Sequence, residues 1–177
     1  MPRYDRPAAD EYAPFYAGYI AELPKGDVLA VLARQGDETR GLFRAASPDQ
    51  WHFRYAPGKW SVAEVLGHLC DAERIMAARA LRFARGDRTP VPGFEENHYV
   101  PAGKFDEQDQ ASLLAEYEAV RAATLALFSN LPDDAPARRG VANDAEVSVR
   151  ALIHIIAGHE RHHLAVLRDR YGLEKAG

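Results

Sequence analysis

The stretch SVAEVLGHLCDAERIMAARALRFARG, residues 61–86, decides the fold of this 177-residue chain. Ser61 is followed three residues later by Glu64, and this spacing is typical of a capping box, in which each side chain accepts a hydrogen bond from the backbone N–H of the other residue. Apolar residues then recur at helical spacing up to Gly86. The stretch therefore predicts one long helix with a well-defined start and an apolar face that must pack against other helices.

Three further stretches carry apolar residues at the same helical spacing, and each is followed by Pro or Gly. Together with the stretch above, they predict helices over residues 28–46, 61–86, 109–131 and from 146–148 to 171. No stretch alternates apolar and polar residues as an amphipathic strand does. Four amphipathic helices without strands predict an all-α protein, with a four-helix bundle as the simplest way to bury the apolar faces.

The segments outside these helices are of two kinds. Residues 10–24 are aromatic and broken by proline, so we expect an irregular N-terminal arm that lies across the bundle. Residues 86–105 have no regular pattern and predict a long loop between the second and third helices, and loops of this length often line a functional site. The length of the chain fits one domain, so residues 1–177 are expected to fold as a single unit.

Charge and composition exclude several classes of protein. The chain has 22 Lys and Arg residues against 26 Asp and Glu, a formal net charge of -4, and no basic run, so nucleic-acid binding is not supported. No apolar stretch approaches roughly 18 residues, and the first residues lack an apolar leader, so we expect neither a membrane span nor a signal peptide. A single cysteine, Cys70, is typical of the cytoplasm, where we expect this protein.

The stretch GHERHHLAVL, residues 158–167, places two histidines on one face of the fourth helix. His159 and His163 are four residues apart, which separates them by about 40° around the helix axis and about 6 Å along it. Leu152 and Ile156 lie on the same stripe, so the two imidazoles are expected to point into the bundle. At this spacing two imidazoles can bind one metal ion.

A third imidazole can come from the second helix, where His68 lies on the apolar face. Three neutral imidazoles from two helices would bind a divalent metal and leave positions open for water or substrate. A lone inward histidine is more often a hydrogen-bonded core residue, but the pair together with the third histidine favours a metal site. Imidazole ligands suit zinc, nickel, iron and copper, and we expect zinc or nickel.

The same segment also fits H-E-x-x-H, the zinc-protease motif in which Glu160 would be the general base. Only 14 residues follow His163, and none of them offers a suitable third ligand, so a protease is disfavoured. Glu160 stays a candidate catalytic base, and Asp71 could accept a hydrogen bond from a ligand imidazole. His98 or His162 could add a fourth ligand, which would indicate a closed, structural site.

Three segments resemble the DinB-like superfamily of bacterial proteins. They are residues 55–87 with the capped Trp-Ser start and a central histidine, residues 92–100, and residues 151–173 with the histidine pair. The resemblance extends from about residue 11 to residue 173, and the paired motifs make it fairly specific.

The resemblance implies a four-helix bundle that binds a divalent metal through His68, His159 and His163, and frequently a homodimer. The better understood branches of the superfamily are thiol S-transferases and a mycothiol-dependent isomerase, in which the metal presents a cosubstrate thiolate. Other members are regarded as metal-dependent hydrolases.

The hypothesis that follows is a metal-dependent enzyme that acts on a small molecule, either as a thiol-dependent S-transferase or as a hydrolase. A low-molecular-weight thiol would then be the cosubstrate, and the long loop would line its pocket with Asn97 and Tyr99. The alternative is a non-catalytic metal-binding or stress-response module in which the metal is structural.

Overall fold

The computed structural model describes residues 3–174, which contain seven α-helices and one two-stranded sheet. The helices are α1 (Ala17–Ala21), α2 (Val28–Ala45), α3 (Pro48–Trp51), α4 (Val62–Ala84), α5 (Glu96–Gly103), α6 (Gln110–Ser129) and α7 (Val149–Tyr171). The strands are β1 (Arg139–Ala142) and β2 (Ala145–Ser148). None of the helices in these residues has the length and apolar character that crossing a bilayer requires.

Four long helices, α2, α4, α6 and α7, form the bundle that the hydrophobic pattern predicts. The helix α4 packs against both α6 and α7, and α2 contacts the same two helices from the other side. Each helix starts at a residue whose side chain accepts a hydrogen bond from the first turn, and these residues are Asp27, Ser61, Asp109 and Ser148. The all-α, four-helix-bundle prediction is confirmed.

The capping box at the start of α4 is present as the sequence predicts. Ser61 Oγ accepts a hydrogen bond from the backbone N–H of Glu64 at 3.0 Å, and Glu64 Oε2 accepts one from the backbone N–H of Ser61 at 2.9 Å. At the same end of the bundle, where the Tyr171 hydroxyl donates to Trp60 O, Gly172 adopts a φ of 65° and terminates α7. Helix ends could be predicted because short side-chain and backbone signals determine them.

The hairpin β1–β2 departs from the prediction, because no strand was expected. The two antiparallel strands have four residues each, with Arg139 opposite Ser148, and they are joined through Asn143 and Asp144, whose φ angles are 51° and 59°. Two consecutive positive φ angles are the mark of a type I′ turn. Strands of four residues are too short to produce a recognisable alternation, so only the Asn-Asp pair signalled the turn.

The long connection between α4 and α6 is also more regular than expected. Residues 86–105 contain α5, and Val91 forms a parallel bridge to β1 in which its N–H donates to Val141 O at 2.9 Å. Phe105 is buried against Gly67, where an added Cβ would lie 2.3 Å from the phenyl ring. The connection therefore packs on the bundle beside the candidate site instead of forming an irregular loop.

Buried apolar side chains form two clusters, one towards each end of the bundle. The apolar residues between 149 and 157 of α7 belong to the first cluster. The apolar residues between 164 and 173, of which Leu173 lies beyond the end of α7, belong to the second. The level between them is polar, with buried polar or charged side chains at Gln35, Thr39, His68, Glu73, Arg121 and Glu160. The three histidines of interest therefore lie at the level where the apolar core is interrupted.

Candidate metal centre

The rings of His68, His159 and His163 meet between α4 and α7. The Nε2 atom of His159 lies 3.0 Å from His68 Nε2 and 3.1 Å from His163 Nε2. Within residues 3–174, these three side chains form a group whose possible ligand atoms all lie within 4.8 Å of one another. The structure thus brings together the three histidines that helical spacing selected, one from α4 and two from successive turns of α7.

The chemistry of this donor set fits a divalent cation. Each nitrogen of a neutral imidazole either donates or accepts one hydrogen bond, so His159 Nε2 cannot make a good hydrogen bond with both neighbouring rings at once. A cation between the rings would accept the lone pairs of all three. Two nitrogens bound to a tetrahedral zinc ion are about 3.3 Å apart, which is close to the separations found here.

All three imidazoles are held in the neutral form that binds metals. Burial lowers the pKa of His68 to about 4. Burial, together with the neighbouring His68 and His162, lowers the pKa of His163 to about 3, and the pKa of the buried His159 also lies well below its ordinary value. At neutral pH no proton has to leave these rings before a metal binds.

Two aromatic side chains flank the three rings, and neither was predicted as a site residue. The Trp60 ring is nearly parallel to His163, with centroids 6.5 Å apart, and lies 4.7 Å from the His68 ring. The Tyr19 ring lies 5.9 Å from His159. Trp60 precedes the cap of α4 and carries no sequence signal of a site residue, and none relates the arm residue Tyr19 to α7.

Glu160, the candidate general base of the motif, lies in a buried hydrogen-bond network. Its side chain is buried, Oε1 accepts hydrogen bonds from Thr39 Oγ1 at 2.8 Å and from the Tyr117 hydroxyl, and Oε2 accepts one from Arg121 Nη2 at 2.7 Å. Both carboxylate oxygens therefore accept hydrogen bonds from side chains of the bundle interior, an arrangement that suits a structural role.

Arg121 lies at the centre of this buried network. Its Nε and Nη2 atoms donate to the two oxygens of Glu73 at 3.0 and 2.8 Å, and Nη2 also contacts Glu160. Burial alone would lower the pKa of Arg121, but the carboxylates of Glu160 and Glu73 raise it well above its ordinary value. The network links α2, α4, α6 and α7 directly beside His159.

The remaining predicted residues lie away from the three rings or make no contact with them. Within residues 3–174, no hydrogen bond joins Asp71 to an imidazole, and burial raises the pKa of this carboxyl. Asn97 is exposed on α5 and donates to Glu95 Oε1 at 2.9 Å, and Tyr99 is exposed and packs against Phe94. Among the described residues, Asp71, Asn97 and Tyr99 thus share no hydrogen bond or ring contact with the three imidazoles.

The two possible fourth ligands are also outside the cluster. His98 is exposed on α5, and the His162 ring faces Tyr19 with centroids 5.3 Å apart. Neither belongs to the group of converging ligand atoms found in residues 3–174. In the described part of the chain, the candidate centre thus has three converging donors.

Comparison with known proteins gives a family match and two solved structures of similar fold. The family model of the DinB superfamily matches residues 31–167. YfiT from Bacillus subtilis, described as a probable metal-dependent hydrolase with an unusual four-helix bundle topology, superimposes with a TM-score of 0.74 at 20% identity, covering 93% of this chain and 95% of YfiT.

The second similar structure is the mycothiol-dependent maleylpyruvate isomerase. It superimposes with a TM-score of 0.70 at 12% identity, covering 89% of this chain and 64% of the isomerase. At these identities the two likenesses establish a shared fold. No curated protein sequence matches the chain.

Proposed function

Because the chain belongs to the DinB superfamily, we propose that it is a metal-dependent enzyme that acts on a small molecule, with His68, His159 and His163 as the ligands of one divalent ion. The observation that carries this proposal is the convergence of three neutral Nε2 atoms from two helices, at separations of 3.0 and 3.1 Å. Zinc or nickel is the expected ion, since both accept imidazole ligands.

The number of donors favours a catalytic over a structural metal. Structural zinc sites are closed by four protein ligands, whereas catalytic sites have three and leave a position for water or substrate. Here the cluster in residues 3–174 has three members, and His163 remains partly exposed. A divalent ion with three neutral ligands keeps its double charge and lowers the pKa of a bound thiol or water.

Among small-molecule reactions, the site best supports one in which a low-molecular-weight thiol is the cosubstrate. A thiol has an ordinary pKa of about 8.5 and needs little help to ionise near neutrality, whereas water has a pKa of about 15.7. The one carboxylate that the motif offered as a base, Glu160, is engaged by Thr39, Tyr117 and Arg121. A reaction that requires no protein base therefore fits this site better than hydrolysis assisted by Glu160.

The chain's own residues would orient the reactants around the three imidazoles. The Trp60 ring covers one side of His68 and His163, and Tyr19 covers His159 from the N-terminal arm. These aromatic faces exclude water from part of the centre and offer apolar contact to a bound molecule. The buried network beside His159 keeps α7, and with it the histidine pair, in register with α4.

Metal analysis of purified protein tests the proposal. We expect about one divalent ion per chain in the parent, and loss of most of it in His68→Ala, His159→Ala and His163→Ala, because each variant removes one of three donors. His162→Ala is the matched control, since it removes a neighbouring imidazole outside the cluster and should keep the metal. Unchanged metal content in the three ligand variants would refute the assignment.

A second measurement separates thiol transfer from hydrolysis. Metal-loaded protein is assayed for conjugation of small electrophiles with bacterial low-molecular-weight thiols, and in parallel for hydrolysis of esters and amides without thiol. We expect conjugation that disappears in His159→Ala. Metal-dependent hydrolysis without any thiol-dependent reaction would instead identify water as the nucleophile.

A further inference from the structure

Arg79 is a buried charge that has no acidic partner. It lies on α4, 11 residues after His68 and therefore about 16 Å further along the helix. The residue is only 5% exposed, and no ion pair joins it to an Asp or Glu of residues 3–174. Its Nε atom is buried without a hydrogen-bond acceptor. A buried charge without a counter-charge is strongly unfavourable in general, so such an arginine requires an explanation.

Other buried charges in this protein are compensated, which makes Arg79 an exception. Arg121 forms ion pairs with Glu73 and Glu160, and the buried carboxylate of Glu11 pairs with Arg150. Burial lowers the pKa of Arg79, but an arginine remains charged at neutral pH. The positive charge therefore persists in a place where the described residues form no ion pair with it.

Two contacts, both with the connection between α4 and α6, orient the guanidinium group of Arg79. Nη2 donates a hydrogen bond to the carbonyl oxygen of Pro92 at 2.8 Å, and the guanidinium carbon lies 6.0 Å from the centre of the Phe94 ring. Both partners belong to the connection between α4 and α6. They orient the group, but neither carries a negative charge.

Arg79 also lines a cavity of about 30 Å³ between the N-terminal arm, α4, α7 and the hairpin. Met76, Leu152 and Ile155 form apolar walls, and Tyr16 adds a polar group. Glu146 stands at the exposed side, where its Oε1 atom accepts a hydrogen bond from Arg139 Nη1 at 2.7 Å, so its charge is already paired. A cavity of this size accommodates about two water-sized groups.

We propose that this cavity is a binding site for the carboxylate group of a small organic acid, with Arg79 as its charged ligand. A planar guanidinium matches a carboxylate better than it matches a spherical ion, because two N–H groups can donate in parallel to the two oxygens. The cavity has room for the two oxygens of a carboxylate, and its apolar walls do not suit a fully hydrated inorganic anion.

The proposed carboxylate site is separate from the metal centre and goes beyond the function proposed above. None of the three histidines lines the cavity, and the small void beside His159, which shares Met76 with the cavity, is too small for a water molecule. An acid bound at Arg79 would act as a second ligand of the protein.

A titration with acetate, followed at the Arg79 Nε–H group by NMR, tests the proposal. The buried Nε–H is expected to give a slowly exchanging signal, which is assigned by its absence in Arg79→Lys. We expect a saturable shift of this signal with a Kd on the order of 1–10 mM, since acetate has few atoms with which to bind. Chloride at the same ionic strength should produce no saturable shift.

Thermal unfolding provides the second readout. At a tenfold excess of acetate over Kd, the midpoint should rise by about 3–6 °C relative to chloride in the parent. Arg88→Met, which removes an exposed arginine from the turn after α4, is the matched control and should show the same rise. Arg79→Met should show none.

Three results would overturn the proposal: no saturable shift in the parent, an equal shift with chloride, or an equal thermal rise in Arg79→Met. If Arg79→Met fails to fold, the titration of the parent decides by itself. His163→Ala should bind acetate as the parent does, because its substitution affects the other site.

Discussion

At the scale of single residues, the most consequential side chain outside the metal centre is Glu160. It is 2% exposed and lies next to His159 on α7, and its donors come from α2 and α6. A buried carboxylate is tolerated only where charge and hydrogen bonds compensate for the loss of water. We therefore expect Glu160 to stabilise the helix that carries two of the three histidines.

Replacing this carboxylate with an amide tests that role. Glu160→Gln leaves Thr39 and Tyr117 with an acceptor but removes one negative charge from Arg121, so we expect the free energy of unfolding to fall by about 3–5 kcal/mol. Urea denaturation measures the change.

The matched control for this change is Glu118→Gln, which removes a half-buried partner of Arg44 on the surface of α6. It should cost no more than about 1 kcal/mol. Equal losses in the two variants would contradict the structural role assigned to Glu160.

At the scale of secondary-structure elements, the contact between the N-terminal arm and α7 depends on a glycine. A Cβ added at Gly158 would lie 2.4 Å from the carbonyl oxygen of Tyr19 and 2.8 Å from the Tyr19 Cβ. Both distances are shorter than van der Waals contact, so Tyr19 would have to move. The absence of a side chain lets α1 approach α7 and places the Tyr19 ring beside His159. Gly158 thus determines both how closely α1 packs on α7 and where the Tyr19 ring lies relative to His159.

Two glycine substitutions with opposite expected effects test this explanation. Alanine generally stabilises a helix by up to about 1 kcal/mol relative to glycine. Gly41→Ala in α2 meets no atom within 4 Å, so it should show this gain. Gly158→Ala should instead lose about 1–3 kcal/mol, because α1 must move away. Urea denaturation of both variants measures the difference, and a gain at Gly158 would mean that the arm is not held as described.

At the scale of the whole molecule, stability in acid depends on how the N-terminal arm is attached to the bundle. Glu11 is 1% exposed, and Arg150 Nε donates a hydrogen bond to its Oε2 at 2.7 Å. Burial raises the pKa of this carboxyl, but hydrogen bonds from Arg150, Ser148 and the backbone N–H of Ala8 outweigh burial and lower the pKa to about 2. In the unfolded chain the pKa is close to 4.5.

The sign of the pH effect follows from these two values. Since the pKa is lower in the folded state, the ion pair stabilises the protein above about pH 4.5, and this contribution is lost as the pH falls towards 2. Glu11→Gln should therefore be less stable than the parent by about 3 kcal/mol at neutral pH, and the difference should shrink towards zero in acid. Denaturant unfolding over a pH series measures it.

Asp10→Asn is the control for the acid series, because Asp10 is an exposed neighbour that pairs with Arg139. It should change stability by no more than about 1 kcal/mol. A difference between Glu11→Gln and the parent that stays constant from neutral pH to acid would show that the effect is not due to ionisation.

Local chemistry determined what could be predicted from the sequence. The four bundle helices follow from the 3.6-residue period of their apolar positions, and their ends follow from caps such as Ser61 and Gly172. The inward direction of His68, His159 and His163 follows from the same period, since each lies on an apolar stripe. These features depend on residues within a few turns of one another.

Only the tertiary structure decided the features that depend on residues far apart in the chain. Three such features depend on several elements at once. They are the contacts of Trp60 and Tyr19 with the histidines, the buried ion pair of Glu160 with Arg121, and the buried Arg79 side chain. The physical reason is that periodicity gives the direction of a side chain from its own helix but not the identity of the group it meets there. That partner determines whether a carboxylate acts as a base or as a structural anchor.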